Sequence, residues 1–452
     1  MRLKKFFGNK EFYKEVISIA LPIMVAQFVT SFVNLIDNVM IGSVGASALT
    51  SVTVANKYYM LFNSTMFGFC GAAGIFISQF FGAKNNKRCQ EVFNINLIFC
   101  LLASFLFTFL AATCPKFILG LFTKTPEIMN LGLDYMNVIK YSYIPFSISF
   151  TVSMSLRAVA INNIQLKVGI LTVAINTFLN YCFIYGNFGF PQLGVTGAAL
   201  ATLIARLVEM VIYLVLLIRN KHFFKLDTKG LMWLDFKLIG KMIGRAIPLT
   251  FNEIMFSLAL AFIFKAYMRV DEYLVAAVTV VDTVMNIAFI IFGGLSSAVS
   301  IMIGKKLGAN LLDEAKENAL KLEVFGVMIG AVIGGILWIA SAYIPLIYNL
   351  EQEINEAITL LLRIKGLLLP VYVVNCCGFF IIRAGGDVKS TIIMDSGFLW
   401  VASVATATLL SIYTNISLIA LFAIVESLDI AKMFLCIYFL KKGTWVNNLT
   451  SD

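Results

Sequence analysis

The sequence predicts an all-α integral membrane protein with twelve transmembrane helices in two pseudo-symmetric six-helix lobes. Three observations carry that prediction. The chain of 452 residues is 60% hydrophobic and 13% charged, whereas soluble domains carry about 25% charged residues. Its apolar residues collect in long runs, and about 20 such residues cross a bilayer as a helix that satisfies its own backbone hydrogen bonds. Finally, the two halves match at a rigid offset. Pro22 answers Pro248, Gly82 and Ala83 answer Gly308 and Ala309, and Arg157 and Ala158 answer Arg383 and Ala384, each pair 226 residues apart.

The first copy holds six apolar stretches, at 16–41, 48–80, 92–113, 128–156, 166–186 and 194–218. Within the third, Leu97–Ala112 leaves no polar face for water. The second copy repeats the pattern at 243–268, 273–304, 320–342, 356–382, 390–411 and 416–440, and Val324–Ala342 is again apolar on all sides. Several stretches exceed the span of a bilayer and must tilt or protrude. Six is an even number, so both copies enter the membrane in the same sense, related by an axis along its normal. Two-lobed transporters that rock about a central site are built this way. The lobes are expected at 1–218 and 243–452, joined by a wet, basic linker at 219–242 that contains Lys225, Asp227, Lys229, Asp235 and Lys237.

The net charge of +10 is distributed as a topology signal and gives no reason to expect nucleic acid as a partner. Lys and Arg recur in alternate connections: Lys84, Lys87 and Arg88; Arg157; Lys237 and Lys241; Lys305 and Lys306; Arg383 and Lys389; Lys441 and Lys442. The intervening connections offer Lys116, Lys124 and Arg269, and 343–355 carries only Glu351 and Glu353. This bias places the basic turns and both termini in the cytoplasm of a multi-pass cell-membrane protein. The basic N-terminal arm runs into a full-length span, which reads as a first helix and not a cleaved signal. The eight cysteines form no CxxC pair, and the one histidine, His222, sits in the basic linker. No metal site, cofactor or enzymatic constellation is therefore expected. The absence of GxxxxGK[ST] argues against ATP-driven transport by this chain alone.

Polar residues inside the spans are costly and need a partner, a cavity or a proton. Asp37 lies in SFVNLIDNVMIG, roughly 30 Å up the first span at 1.5 Å per residue. It is either an interfacial cap or the centre of a polar cluster with Asn34 and Asn38. Asn176 and Asn180 share one face of the fifth span by their i, i+4 spacing. They are either interhelical glue or a polar pocket with Asp37. Glu253 and Asp282 fall on adjacent spans of the second lobe, each roughly 14 Å from its starting face. Facing each other, they would form a cation or proton site; alternatively, Asp282 pairs with Lys265 or another base. The repeat sets Gln27 opposite Glu253, Asn56 opposite Asp282 and Ile263 opposite Asp37. Polar positions therefore recur in both copies, while the ionisable ones differ. Arg206 and Glu209 are expected to pair at i, i+3, and Glu426, Asp429 and Lys432 repeat that spacing.

IDNVMIG, ISQFFGAKN, LRAVAIN, GVTGAALAT, FNEIMF, IMIGKKLGAN and IIRAGGDVKS, in that order and spacing, together resemble the multidrug and toxic compound extrusion (MATE) family over essentially the whole chain. The resemblance implies two six-helix lobes in a V-shaped arrangement and antiport of organic, often cationic, drug-like compounds against H+ or Na+. It implies that Asp37 is the first-helix aspartate, with Asn176 and Asn180 as its polar partners, and that Glu253 is the seventh-helix glutamate of a subgroup using the second lobe. That subgroup's tenth-helix aspartate is Tyr372 here, and Val278 stands near its eighth-helix histidine position. Asp282 is a candidate substitute. The expected function is a monomeric cation-coupled exporter in the lipid bilayer. The alternative is a lipid-linked oligosaccharide flippase of the same wider superfamily, for which Arg206 would have to meet a pyrophosphate.

Overall fold

A computed structural model describes residues 6–219, 223–225, 235–347 and 351–450. His222, Lys221, Asp227 and Lys229 lie outside the described residues, as does the side chain of Asn34. The described residues are helical, without strands. In chain order the helices are α1 (Lys10–Gly42), α2 (Ala46–Gly82), α3 (Asn86–Thr113), α4 (Pro115–Gly120), α5 (Pro126–Ile139), α6 (Tyr143–Ala158), α7 (Asn162–Tyr185) and α8 (Gly194–Ile218). They continue as α9 (Phe236–Val270), α10 (Val275–Gly308), α11 (Leu312–Ala340), α12 (Gln352–Ala384), α13 (Val388–Ile392), α14 (Ala405–Tyr413) and α15 (Leu418–Lys442). The residues between α13 and α14 wind as π-helix at Ile393–Gly397 and Leu399–Val404.

Ten of the described helical spans are long and apolar enough to cross a membrane. The other two predicted spans are helical but differ in kind. The stretch at 128–156 is interrupted by a 3-10 turn at Lys140–Ser142, whereas its repeat image α12 is continuous. The stretch at 416–440 corresponds to α15, which starts two residues later, and contains Glu426, Asp429 and Lys432.

The duplication is visible in the turns themselves. Lys84 and Asn310, which are 226 residues apart in sequence, both take positive φ, at 56° and 60°. Ala160 and Gly386, at the same offset, take 63° and 76°. The hydrogen bonds follow suit: Ala160 N–H donates to Arg157 O and Gly386 N–H to Arg383 O, both at 2.9 Å. Each left-handed residue stops one helix and lets the next begin without a longer loop.

By contact the chain forms two compact units. One comprises the residues up to Met24, Ser78–Lys84 and those from Phe251 onward; the other comprises Val25–Ile77 and Asn85–Thr250. A cut at the 219–242 linker does not reproduce this division, because the first turns of α1 and the last of α2 pack with second-copy helices. In the first of these units α12 packs against α10, α11 and α15. Glycines let these helices approach closely: a Cβ on Gly334 would lie 2.2 Å from Gly366 O. The last turn of α2 meets the last turn of α10 through a contact that is its own repeat image. A Cβ on Gly82 would lie 2.0 Å from Lys305 O, and a Cβ on Gly308 would lie 1.8 Å from Gln79 O. The Gln79 amide also donates to Ala384 O at 2.9 Å and accepts from Leu449 N–H at 2.8 Å, which anchors the segment after α15 within the same unit.

Candidate functional site

In the unit built from Val25–Ile77 and Asn85–Thr250, a cavity of about 440 Å³ opens among α1, α2, α5, α6, α7 and α8. Its position follows from the α7–α8 hairpin. Gly186 ends α7 in the left-handed conformation at φ 74°. Gly197 brings α8 so close that a Cβ there would sit 2.5 Å from Phe183 O. Asn176 and Asn180, one turn apart on α7, consequently face the polar side of α8 at Thr202. Tyr185, at the end of α7, holds the end of α1: its hydroxyl donates to Met40 O at 3.3 Å and shares a 2.7 Å bond with Ser43 Oγ. This fixes Asp37, one turn earlier, against the two asparagines.

Asn180 Nδ2 donates to Asp37 Oδ1 at 2.7 Å. In the orientation that satisfies both ends of its amide, Asn176 Nδ2 donates to Asp37 Oδ2 at 2.9 Å while its oxygen accepts from Thr202 N–H at 3.3 Å. Both oxygens of the carboxylate are therefore held by neutral donors, and among the described residues no ion pair reaches Asp37. Asn180 is buried, and its own Oδ1 has no partner among the described residues. Elsewhere in the cavity, Arg206 Nη1 bonds Glu209 Oε2 at 2.8 Å, as their spacing requires, and the guanidinium stacks 4.8 Å above the Phe146 ring. Tyr59, Tyr135 and Phe146 supply the aromatic wall.

The structure thus brings Asp37, Asn38, Asn56, Asn176 and Asn180 to one cavity. Gln27 is not among the lining residues. Thr202 and Tyr135 belong to the site and were not expected from sequence. Thr202 closes the GVTGAALAT string, and its place five residues after Gly197 was the available signal.

The second-copy carboxylates are arranged differently from the expectation that Glu253 and Asp282 face each other. Glu253 Oε1 accepts from Arg383 Nη1 at 2.8 Å. Asp282 instead feels Lys365 and Glu426, which bond each other at 2.7 Å. The cations come from α12: Arg383 bonds Glu253, while Lys365, bonded to Glu426, acts on Asp282. The i, i+3 pairing expected on α15 is overridden in the same way. Lys432 bonds Asp395, in the π-helical stretch, at 3.1 Å, and Asn252 Nδ2 donates to Asp395 Oδ2 at 3.0 Å. Asp395 and Lys365 are charged residues in the middle of apolar stretches, a signal the sequence reading passed over.

The MatE family model matches residues 22–182 and again 248–408. Both the starts and the ends of these matches are displaced by 226 residues, the offset of the internal repeat. The chain is 25% identical over 357 residues to "Probable multidrug resistance protein NorM" of Listeria innocua, covering 78% of this chain and 77% of the relative. It is 24% identical over 410 residues to "Probable multidrug resistance protein YoeA" of Bacillus subtilis, covering 88% and 87%. Among solved structures, a MATE in complex with MaL6 has a TM-score of 0.88 at 16% identity, covering 98% of both chains. A MOP superfamily transporter from Pyrococcus furiosus has a TM-score of 0.86 at 16% identity, covering 98% and 97%. Since one family model fits both halves in register with the repeat, over helices of the same fold, the chain belongs to the MATE family of multi-pass membrane transporters associated with multidrug efflux.

Proposed function

We propose that this transporter is a cation-coupled antiporter that exports organic cations by alternating access, with Asp37 as the coupling carboxylate. The observation that carries this reading is the contrast in partners. Asp37 is met by neutral amides only, whereas Glu253, Asp395, Glu426 and Glu209 each accept from a cationic side chain. A carboxylate that lines a cavity without an internal counter-charge is placed to take an exchangeable cation, and Asp37 lines one. The unspent Asn180 Oδ1 and the reversible Asn176 amide, which in its other orientation donates to Thr202 Oγ1 at 3.4 Å, offer oxygens to that cation. The aromatic wall beside the carboxylate suits an organic cation. The cation and the substrate would act by favouring different members of an inward–outward pair, since only differential affinity moves such an equilibrium.

The coupling ion is H+ or Na+; the basic turns and both termini face the cytoplasm of the cell membrane, and the working unit is a monomer. Arg206, the residue a flippase reading would assign to a pyrophosphate, already has Glu209 as its counter-ion, which favours the antiporter. The test is efflux of a fluorescent organic cation from proteoliposomes under an imposed H+ or Na+ gradient, with Asp37 and Glu253 neutralised in turn. The reading expects D37N to abolish the gradient response, and E253Q to spare it wherever the protein folds. A gradient response that survives D37N and is lost in folded E253Q would transfer the coupling role to the second lobe.

A further inference from the structure

The hairpin of α2 and α3 carries a constellation that coupling at Asp37 does not use. Cys70 lies 12 residues before the end of α2 and Cys100 14 residues after the start of α3, roughly 18 and 21 Å from the turn at 1.5 Å per residue. The two thiols therefore arrive nearly level, inside the unit built from Val25–Ile77 and Asn85–Thr250. Their sulfurs stand 3.8 Å apart. Cys70 is 2% and Cys100 0% exposed, in the apolar core that also holds Phe62, Met66 and Tyr143.

Asn96, one turn before Cys100 on α3, aligns the pair. Its Nδ2 donates to Cys70 Sγ at 3.5 Å, and the Cys100 S–H donates to its Oδ1 at 3.7 Å. The Cys70 S–H is then the one left for Cys100 Sγ, which closes a ring of three hydrogen bonds. Elsewhere Cys89 bonds Ile77 O, Cys376 bonds Ser296 Oγ and Cys436 bonds Val374 O. Cys376 and Cys377 are adjacent on α12 and diverge around it. The repeat images of Cys70 and Cys100 are Ser296 and Gly326, so the thiol pair is particular to the first copy.

The gap has a size that selects its occupant. Two bonds of about 2.3 Å, the thiolate–zinc length, cross 3.8 Å at an angle of about 110°, so a single sulfur-seeking atom fits between the sulfurs as they stand. Among the described residues no three of His, Cys, Asp and Glu gather to hold a metal ion. An atom in this gap therefore has two protein ligands and must bring the rest of its valence with it. Trivalent arsenic bearing one organic group does so, with one bond to carbon and two to sulfur. A buried thiol is inert toward charged reagents, whereas an aryl arsonous acid is neutral and apolar on one side, and the adduct is neutral too.

We infer that Cys70 and Cys100 form a dithiol site for neutral organic trivalent arsenicals. In the reaction two As–S bonds form, two As–OH bonds break, and each hydroxyl leaves as water with a thiol proton; nothing is oxidised or reduced. The bridge ties α2 to α3. The site is separate from Asp37, and its test does not depend on coupling.

The experiment treats the full-length protein in detergent with phenylarsine oxide, which hydrates to the arsonous acid, washes it with a monothiol and reads the intact mass. The native chain should retain one phenylarsenic group and release it to a dithiol such as ethanedithiol. C70S and C100S should each retain none, and C376S/C377S should retain one. C70A and C100A repeat the test with apolar replacements, should a serine prevent folding. Because the gap is already formed, the adduct should raise the melting temperature of the native chain, as a cross-link does, and leave those of C70S and C100S unmoved. A folded native chain that retains no arsenical would overturn the inference. So would retention that survives loss of either Cys70 or Cys100, retention lost in C376S/C377S, or an adduct that lowers the melting temperature.

Discussion

Replacing Asp37 with Asn removes one negative charge while keeping the shape of the side chain. The carboxylate accepts two amide hydrogen bonds, from Asn180 at 2.7 Å and Asn176 at 2.9 Å. An asparagine at this position presents one oxygen and one N–H₂, so one of those donors would meet another donor. Leaving it unmet costs about 1–3 kcal/mol. Asn176 can escape that cost by returning to Thr202 Oγ1, so D37N should fold, with its melting temperature lowered by only a few degrees. The functional loss is larger and has a fixed ceiling. A single carboxylate without an internal counter-charge binds one monovalent cation, so a tenfold cation gradient can sustain at most about a tenfold substrate gradient, equivalent to about 1.4 kcal/mol. In D37N that ratio should fall to unity, leaving only downhill leak. The assay is steady-state accumulation of a fluorescent organic cation in proteoliposomes at an imposed tenfold H+ or Na+ gradient, with substrate binding measured in parallel. A well-folded D37N protein that still accumulates substrate near tenfold would refute the assignment of Asp37.

Three further outcomes are expected. Gly308→Ala drives a Cβ to 1.8 Å from Gln79 O and should cost about 3 kcal/mol, the upper end of overpacking penalties; G82A, its repeat image, should couple non-additively with it in a double-mutant cycle of thermal melts. Ala160→Gly removes the Cβ from a residue at φ 63° and should stabilise by up to about 1 kcal/mol, while Gly386→Ala should destabilise by a similar amount. E253Q leaves the nearly buried Arg383 facing an uncharged partner and should cut folded yield, by about 3 kcal/mol or more of stability; E253Q/R383M should recover yield and still transport, which a coupling role for Glu253 would not allow.

The scaffold was legible because its determinants are local. Runs of apolar residues make spans, the offset pairs Pro22 with Pro248 and Gly82 with Gly308, and the left-handed turns at Lys84 and Asn310 follow from the same duplication. Asp37 with Asn176 and Asn180 was legible because amides at i, i+4 in an apolar helix need a partner and a carboxylate in another span needs donors. What failed was the assumption that carboxylates at similar depth on consecutive helices take each other as partners: Glu253 of α9 takes Arg383, and Asp282 of α10 feels Lys365 and Glu426. Likewise, Lys432 has Asp429 three residues away on its own helix, yet it reaches across to Asp395. Which of two possible partners a buried charge takes is a matter of interhelical packing, and periodicity within one helix does not report it. Asn34 carries no such comparison, since its side chain is outside the described residues.

The two copies therefore solve one problem in opposite ways on one frame. The frame is kept where backbone geometry demands it, at the left-handed turn residues and the reciprocal glycine contact between α2 and α10. The position 206/432 is cationic in both copies, so a positive charge at that level of the helix belongs to the frame as well. The variable is where its counter-charge stands. In the first copy Glu209 takes Arg206 on the same helix, and Asp37 is left with amides. In the second, Asp395 on a different helix takes Lys432, and the image of Asp37 is Ile263. A charge balanced within its own lobe holds helices together but has nothing to exchange with solvent. A charge balanced only by reorientable amides is poor glue, yet it can be titrated or filled from outside. On this argument the asymmetry of the repeat is functional: in the first copy the cavity carboxylate Asp37 is left with amides, and in the second the Asp395 charge is already matched by Lys432.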